Sequence, residues 1–565
     1  GNPFVPVTLQ TFGVLFGAAN AYLGLKSGLT VSTSIPIAVL SVAAFRLFPR
    51  GGTLLEANMA QTIGSASSSL DSGTIFTIPA LFLWGMAPTW TQVALLAFFG
   101  GLLGILAMIP LRRLLIVQAD AELPYPEGRA CAEVLRATDK ASSGGRWIFI
   151  GLALGALIKL MLSQFHVLPE EPAWKLSALP NAVIALKVAP ALLAVGYIVG
   201  FRAASVMVSG ALISALVLIP LITRVHSDAA GSAAELLTGK LVRDRFVVFI
   251  GAGAVATAGL FTVLKTAPTM WKALRAVVSG LRSSSANSTS ERTDRDLPAW
   301  ILVVGLLGMV AVLALVPWIF AGELSLGARF VAALGVALFG FIFVPVSSRL
   351  VGVIGVSSNP VSAMALITLA GTAGIFLALG WKGPAAMAAV LTVGTVVCVA
   401  ASKAGDISQD LKTGWLVGGT PALQQFGQLI AAAVACWAVA GVVTAIGNSP
   451  EGFGDGAPQA RLMKTVVEAV LGGSLPWDLV LSGAALAGVG ILAGLPGLPF
   501  ALGIYLPLST MATVFIGGCV RKYVETRRAA DSSAKEGEIG AGILCASGFV
   551  AGEGLAGVLI AGWAY

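Results

Sequence analysis

The sequence predicts an all-α, polytopic membrane protein, and three observations support this fold class. Of its 565 residues, 57% are hydrophobic and only 11% are charged, whereas soluble proteins carry about 25% charged residues. Long apolar runs recur along the chain, each able to supply the roughly 20 residues that cross a bilayer core. The runs are continuous and do not alternate between polar and apolar residues, which excludes a transmembrane β-barrel.

At about 35 residues per span and loop, the chain has room for about 16 transmembrane helices. Two stretches, 54–86 and 351–381, are long and apolar but interrupted. We expect these two to contain broken or re-entrant helices. The remaining apolar runs each predict one membrane helix, and they lie at 4–25, 28–48, 90–111, 147–165, 182–201, 203–223, 246–266, 299–320, 328–348, 383–402, 426–446, 478–496, 498–520 and 540–564.

Lysine and arginine cluster in a few loops, and short loops rich in these residues lie on the cytoplasmic side of the membrane. This rule predicts a cytoplasmic N-terminus and accounts for the net charge of +8 without a nucleic-acid partner. A count of simple crossings places Arg521 on the opposite side. We therefore expect one re-entrant or miscounted element among 351–381, 405–425 and 457–475. The orientation prediction depends on the basic residues Arg46, Arg50, Arg112, Arg113, Lys272, Arg275, Arg282, Arg292, Arg295, Arg521, Lys522, Arg527, Arg528 and Lys535.

One extended polar, low-complexity stretch, 281–298, divides the chain. Its serine-rich composition is typical of a flexible linker. We therefore predict an N-terminal transmembrane half at 1–280, a cytoplasmic linker, and a C-terminal transmembrane half at 299–565. Many transporters consist of two related halves, and the same organisation is a hypothesis for this chain.

The segment 56–73 is too polar for an ordinary membrane helix. Broken helices of this type form binding sites, because they free backbone N–H and C=O groups for ligands. Two other interpretations stay open. Serine and alanine also let helices pack closely, and Asp71 could cap the helix that follows it. The candidate residues of the segment are Glu56, Gln61, Ser65, Ser68 and Asp71.

The segment 354–362 should interrupt a second helix. Pro360 has no backbone N–H and disfavours a helical Asn359, and the hydroxyl groups of Ser357 and Ser358 lie just before them. These hydroxyls and the Asn359 amide could bind a ligand or satisfy the freed backbone groups. A helix that is merely kinked is the alternative.

Charged and aromatic residues are concentrated between two apolar runs at 121–133. Pro126 suits the first turn of a helix, and Glu127 is favoured near the positive end of that helix. Tyr125, Glu127 and Arg129 could form a gate or contact a substrate, because charges inside a membrane are costly and usually functional. At a cytoplasmic surface the same residues would cost little.

The segment 405–421 has the same character, with acids, a base, an aromatic residue, glycine and proline. Asp406 and Asp410 are four residues apart, so on a helix they share one face and could hold a shared proton. Gln409 lies between them. A solvated loop helix is an equally good interpretation of this pattern.

Near the C-terminus, Glu553 lies among glycines in an apolar run, and intramembrane ionisable residues are functional candidates. Tyr505 belongs to another proline-broken helix at 497–509. The two histidines, His166 and His226, lie in predicted loops, so the sequence supports no metal site. No phosphate-binding GxxxxGK[ST] loop is present, and the chain therefore does not look like an ATP-driven pump.

Segments along the whole chain resemble, in family order, the oligopeptide transporter (OPT) family, which includes the yellow-stripe-like metal-chelate transporters. The similarity is greatest to the prokaryotic form, which implies a location in the bacterial inner membrane. The resemblance implies about 16 helices, in keeping with the length arithmetic, and proton-coupled uptake of small peptides or peptide-like metal chelates. The segments are NAYLGLKSGLTVSTSIP (20–36), NMAQTIGSASSSLDSGTIFTIPAL (58–81), LPYPEGRACAEVL (123–135), GVSSNPVSAMAL (355–366), GDISQDLKTGWLVGGTPALQQFGQLI (405–430), LPFALGIYLPLS (498–509) and ASGFVAGEGLAGVL (546–559).

We therefore expect a secondary active symporter rather than an enzyme, with substrate between the broken segments 61–71 and 355–362. Serine, glutamine and asparagine side chains suit a peptide carboxylate, and an acidic side chain suits its amino group. The acids expected to carry the proton are Glu56, Glu127, Asp406, Asp410 and Glu553.

No cofactor is expected, because a proton gradient would drive the transport and a metal would enter only as part of a chelated substrate. The expected partners besides the substrate are the lipid bilayer and, as one option, a second copy of the chain in a homodimer. The alternative function is that of a passive channel or a membrane scaffold without coupled transport.

Overall fold

The structure is a computed structural model of the chain. Two predicted site residues, Ser357 and Ser358, lie outside the described residues, as do 281–290 of the predicted linker. The structure describes residues 4–27, 33–35, 37–38, 41, 45, 52–121, 123, 125–139, 145–163, 169–230, 238–258, 260–261, 264–265, 268, 291–320, 322–354, 356, 359, 361–449, 452–453, 457–472, 476–529, 541–543, 545–546, 548–549, 552–553 and 556.

Helices make up almost all of the secondary structure in these residues. One antiparallel hairpin of two short strands, β1 (Ala173–Lys175) and β2 (Val183–Ala185), accompanies them. The α-helices are α1 (Phe4–Ser27), α2 (Leu54–Ser68), α3 (Asp71–Thr77), α4 (Pro79–Leu83), α5 (Trp90–Arg112), α6 (Pro126–Asp139), α7 (Gly145–Ser163), α8 (Pro190–Val199), α9 (Phe201–Ile213), α10 (Ile219–Ala230), α11 (Gly239–Val242), α12 (Ala299–Leu315), α13 (Leu326–Ile354), α14 (Val361–Ala378), α15 (Pro384–Val417), α16 (Pro421–Asn448), α17 (Pro458–Gly472), α18 (Trp477–Leu492), α19 (Gly497–Tyr505) and α20 (Leu508–Ala529). Short π-helical turns continue α5, α9 and α11 at Arg113–Gln118, Ser214–Leu218 and Arg243–Val247, and single 3-10 turns lie at Arg292–Asp294 and Pro317–Ile319.

The predicted class, an all-α polytopic membrane protein, is confirmed. Within the described residues, 5 helices are long and apolar enough to cross a membrane, and shorter apolar helices accompany them. The number of crossings stays a prediction. The long apolar helices are Trp90–Gln118, Phe201–Val225, Leu326–Gly352, Pro384–Val417 and Pro421–Asn448.

Both interrupted stretches contain helix breaks where the sequence predicts them. Residues 54–86 form α2, α3 and α4, which are separated by turns at 69–70 and at Ile78. The second break follows α13, which ends at Ile354. Asn359 is not helical and α14 begins at Val361, as expected for a residue that precedes a proline.

The interpretation of 405–425 as a separate element or a solvated loop helix is wrong. Residues 405–417 are the second half of α15, which runs unbroken from Pro384 to Val417 and ends at Gly418, with a left-handed φ of 78°. At about 1.5 Å per residue the helix is about 50 Å long, well beyond a bilayer core of about 30 Å. The sequence hides this continuity because the second half is polar.

Contacts divide the chain into two compact units, each assembled from separate stretches of sequence. Each unit takes residues from both predicted halves, and the division into two related halves stays a prediction. The first unit contains Gly1–Phe149, Thr266–Gly472 and Gly557–Tyr565, and the second contains Ile150–Lys265 and Gly473–Ala556.

The central helix of the first unit is α15. It packs against α2, α3, α5, α6, α13 and α14. Its side chains are buried without interruption from Ala388 to Gly414, because neighbours cover every face. Polar residues in this stretch must therefore find partners inside the protein.

The described part of the predicted linker, residues 291–298, is fixed to the first unit. Arg292 donates hydrogen bonds to Thr420 Oγ1 (2.7 Å) and to the Gly418 carbonyl (2.9 Å). Asp296 pairs with the buried Arg112 at 2.6 Å. These residues therefore make specific contacts with the first unit, and the role of 281–298 as a linker between two halves stays a prediction.

Close helix packing accounts for conspicuous glycines of the first unit. A Cβ at Gly13 would lie 2.6 Å from the Gly64 carbonyl oxygen, so α1 and α2 approach too closely there for any side chain. A Cβ at Gly73 would overlap the backbone of Val399 in α15. Small residues permit the same approach in other membrane helix pairs.

The second unit is also helical, apart from the hairpin. Within it, α8 packs against α20, and α9 packs against α19 and α20. A Cβ at Gly196 of α8 would overlap the Val514 carbonyl of α20. Small residues therefore set the distance between helices here too.

Candidate functional site

A charged stripe lies on one face of α15 inside the first unit. Lys403, Asp406 and Asp410 are spaced by three and four residues, which places them on the same helix face. All three side chains are buried, with exposed fractions of 0%, 6% and 0%. Lys403 interacts electrostatically with both aspartates and with Asp71 of α3.

Asp410 connects α15 to the first polar segment. Its Oδ1 accepts a hydrogen bond of 2.6 Å from Gln61 Nε2 in α2. Gln424 of α16 donates to Thr62 Oγ1 (3.0 Å) and to the Asp410 backbone carbonyl (3.1 Å). The other carboxyl oxygen, Oδ2, is buried and has no hydrogen-bond partner among the residues described.

The break between α2 and α3 lies beside Lys403. The Lys403 ammonium donates to the Ala66 carbonyl and, at 3.0 Å, to Ser69 Oγ. Asp71 is the first residue of α3, and its Oδ1 accepts from the Ser72 N–H at 2.6 Å. The prediction that Asp71 is the cap residue is wrong by one position, because Leu70 precedes the helix.

The predicted serines of α2 make contacts with the chain itself. Ser65 Oγ lies 2.8 Å from Ser34 Oγ. The Ser68 hydroxyl bonds to the Thr33 hydroxyl and donates to the Ser65 carbonyl at 3.0 Å. These contacts favour the packing interpretation for the two serines.

Glu127 reaches the second helix break. It lies in the first turn of α6, which begins at Pro126 as predicted, and its Oε1 accepts from the Val356 N–H at 3.0 Å. Asn359 Nδ2 donates to Ser347 Oγ of α13 at 2.8 Å. Asn359 Oδ1 is buried without a partner in the part of the chain that the structure describes.

Gln409 and Tyr125 join α6, α13 and α15. Gln409 Oε1 accepts from the Gly128 N–H at 2.6 Å, and its Nε2 donates to the Val351 carbonyl at 3.2 Å. The backbone N–H of Tyr125 donates to the Gly352 carbonyl at 2.9 Å. The structure therefore brings together the four polar segments that the sequence presents separately.

A second group of charges lies at the end of α15. The Lys412 ammonium bonds to the Asp120 carboxylate and, at 3.0 Å, to the Ile116 carbonyl. Arg129 donates to the same carboxylate at 2.5 Å. The hydrogen bond from Lys412, together with both positive charges, holds the pKa of the Asp120 carboxyl below its usual range. The Arg129 side chain is 40% exposed, so its contact with Asp120 is an ion pair at the surface.

Glu56 and Glu553 each hold the start of a helix. Glu56 forms a capping box with Thr53 at the start of α2, where its carboxylate accepts from the Thr53 N–H at 2.9 Å. In the second unit, Glu553 accepts from the Ala191 N–H at 2.7 Å, in the first turn of α8. Carboxylates are favoured at both places by the unpaired N–H groups and by the helix dipole.

Tyr505, the remaining predicted site residue, is the last residue of α19 in the second unit, and it is buried. A Cβ at Gly251 would lie 2.7 Å from the Tyr505 Cα. The described surroundings of Tyr505 are therefore those of a tightly packed helix end.

Sequence reasoning misses two polar residues of this site, Lys403 and Gln424. Lys403 directly follows the apolar run 383–402, so the sequence suggests that the membrane helix ends there. The available signal is its spacing of three residues to Asp406 and seven to Asp410, which is that of one helix face. Gln424 carries no such signal, because its partners Thr62 and Asp410 lie on other helices.

The buried charges do not balance. One ammonium, on Lys403, interacts with three carboxyls, those of Asp71, Asp406 and Asp410. Uncompensated charge is strongly unfavourable away from water, so the cluster requires protons or a further cation. In the described residues, no group of three His, Cys, Asp or Glu side chains could hold a metal ion.

Buried ionisable groups beside paired helix breaks, in a chain of many apolar helices, are typical of membrane transporters. The family profile described as OPT oligopeptide transporter protein matches residues 10–564. A Haemophilus influenzae protein named "Putative oligopeptide transporter" is 30% identical over 592 aligned residues, which cover 96% of this chain and 92% of that protein. The chain belongs to the OPT oligopeptide transporter family, and it is a multi-pass integral membrane protein.

Proposed function

We propose that this chain is a secondary active symporter that imports small oligopeptides together with protons across the bacterial inner membrane. The observation that carries the proposal is the charge imbalance of the buried cluster, in which Lys403 interacts with three carboxyls. Asp71 and Asp410 each have one buried oxygen without a partner among the described residues. A proton that binds there in one conformation and leaves in another would couple the gradient to transport.

The chemistry of the cluster suits the two ends of a small peptide. The peptide amino group is a cation, and the unpaired oxygen of Asp71 would attract it. Amide side chains such as Asn359 suit the peptide backbone and its carboxylate. The name of the Haemophilus influenzae relative also supports a peptide substrate, and the distribution of lysine and arginine supports a cytoplasmic N-terminus.

Transport by the purified protein in proteoliposomes tests the proposal, with labelled di- and tripeptides and an imposed inward proton gradient. We expect accumulation that a protonophore abolishes. Asp410→Asn should lower gradient-driven uptake at least about tenfold while peptide counterflow continues, because exchange moves no net proton. Asp478→Asn is the matched control at an exposed position of α18, and it should transport like the wild type.

Other outcomes of the transport experiment would change the coupling, the class of protein or the substrate that we propose. Uptake that is unaffected by collapse of the gradient would overturn proton coupling. Flux that does not saturate and never exceeds equilibrium would favour the alternative of a passive channel. Competition by iron or nickel chelates, but not by peptides, would assign a metal chelate as substrate and leave proton coupling in place.

A further inference from the structure

Lys403 holds the end of a broken helix inside the protein. The last carbonyl groups of a helix have no partner within it, and α2 ends at Ser68 in buried surroundings. The Ser65 carbonyl accepts from the Ser69 N–H at 3.1 Å, and the Ala66 carbonyl accepts from the Lys403 ammonium. A cation is favoured at this position, because the C-terminal end of a helix carries partial negative charge.

Asp71 lies on the opposite side of the same break. It is the first residue of α3, where the positive end of the helix dipole favours a carboxylate. Only Ser69 and Leu70 separate the two helices. A buried ammonium, that of Lys403, and a buried carboxyl, that of Asp71, therefore flank the break.

The ammonium of Lys403 depends on the carboxyls that face it. These are Asp71 of α3 and Asp406 and Asp410 of its own helix, and Glu127 of α6 in turn interacts with Asp406. A buried ammonium without an ionised partner is strongly unfavourable. Lys403 therefore stays charged and in place only while carboxylates of this group compensate it.

We propose that Lys403 is a positioning residue that transmits protonation of the Asp71, Asp406 and Asp410 carboxyls to the break between α2 and α3. While one of these carboxyls is ionised, the ammonium is compensated and holds the Ala66 carbonyl and Ser69. When this last carboxylate takes up a proton, the ammonium loses its compensation and releases that carbonyl. The break between α2 and α3 then has two arrangements, and protonation of the carboxyls shifts the equilibrium between them. The inference rests on the proposed proton coupling, but its test has a separate readout.

Hydrogen exchange of the backbone at residues 65–72 provides that readout. It is followed from about pH 8 to about pH 5 and corrected for the chemical exchange rate. In the wild type, we expect corrected exchange to be at least about tenfold faster at the acidic end. Lys403→Met should exchange rapidly at every pH, and Lys403→Arg should recover part of the pH dependence, because it restores the positive charge.

Lys464→Met is the matched control. Lys464 also donates to a carbonyl at a helix end, that of Leu83 (3.5 Å), but its side chain is 29% exposed and lies beside Glu468. We expect this variant to keep the wild-type pH dependence at residues 65–72. If Lys403→Met alone does not fold, the double variant Lys403→Met/Asp71→Asn serves as the companion, because it also removes one of the carboxyls that Lys403 compensates. Exchange at residues 65–72 of this companion should likewise show no pH dependence.

The proposal is overturned if wild-type exchange at 65–72 does not change with pH. It is equally overturned if Lys403→Met, or the companion where the single variant does not fold, keeps the wild-type profile. A wild type with pH-dependent exchange that Lys403→Met abolishes, but without gradient-driven uptake, would support the role of Lys403 and overturn only the proposed symport.

Discussion

The carboxylate of Asp410 accepts a hydrogen bond of 2.6 Å from the side-chain amide of Gln61, which lies 349 residues earlier in the chain. The bond joins the polar helix before one break to the charged face of α15. It fixes one oxygen of the carboxyl, while the other has no partner in the described part of the chain. One oxygen of Asp410 is thus held in place and the other can take a proton.

Gln61→Leu should destabilise the protein by about 1–3 kcal/mol, because a buried carboxylate loses its donor. Denaturant unfolding in detergent measures the change. Gln118→Leu, at an exposed position, is the control and should stay within about 0.5 kcal/mol of the wild type. Equal effects of the two substitutions would contradict the role of the hydrogen bond.

Glu553→Gln should keep both stability and gradient-driven uptake. The amide oxygen can still accept from the Ala191 N–H, as the carboxylate does at 2.7 Å. Glu553→Leu has no acceptor there and should be destabilised by about 1 kcal/mol, as for a lost helix cap. Proteoliposome uptake and thermal unfolding measure the two effects. A stable Glu553→Gln variant without gradient-driven uptake would show that Glu553 carries the coupling proton.

Gly73→Ala should destabilise the protein by about 1–3 kcal/mol, because the added methyl group overlaps the backbone of Val399. Gly374→Ala is the matched control in α14. A Cβ at Gly374 meets no atom within 4 Å, so alanine should be neutral or slightly stabilising. Unfolding in detergent compares the pair, and a tolerated Gly73→Ala would mean that α3 and α15 are not in close contact.

Arg112→Met should destabilise the protein far more than Arg113→Met does. Arg112 is 1% exposed and donates to both Asp296 oxygens, at 2.6 and 3.0 Å. Because Asp296 is itself 23% exposed, we expect Arg112→Met to lower the free energy of unfolding by about 3 kcal/mol, which is the lower limit for breaking a buried ion pair. Arg113 is exposed and should contribute little. Similar unfolding midpoints for the two variants would be inconsistent with this pairing.

Acid should weaken the contact between Asp120 and its two cations. The pKa of Asp120 is lowered, chiefly by the hydrogen bond from Lys412, so its contribution to stability is complete above the unfolded value of about 3.9. That contribution is lost as the pH falls through the lower folded-state value. Asp120→Asn should therefore show a smaller drop in melting temperature than the wild type below about pH 4. An identical drop would contradict this assignment.

The helix breaks could be predicted because their causes act within a few residues. Pro360 and the polar residues of 56–73 disturb helix formation locally, and the breaks occur where they stand. The continuity of α15 could not be predicted in the same way. Its second half contains Lys403, Asp406 and Asp410, and charges of this kind fit a solvated loop helix equally well. It is a buried helix only because other helices surround it.

The sequence by itself determined the membrane class, the family and the positions of the helix breaks, because hydrophobicity and backbone preferences are properties of short segments. Only the tertiary structure decided which polar groups meet. It places the Lys403 ammonium at the end of α2, the Gln61 amide against the Asp410 carboxyl, and Arg112 but not Arg113 in an ion pair with Asp296. The reason is physical, since the energy of a buried charge depends on partners that lie far away in the chain and are brought close only by packing.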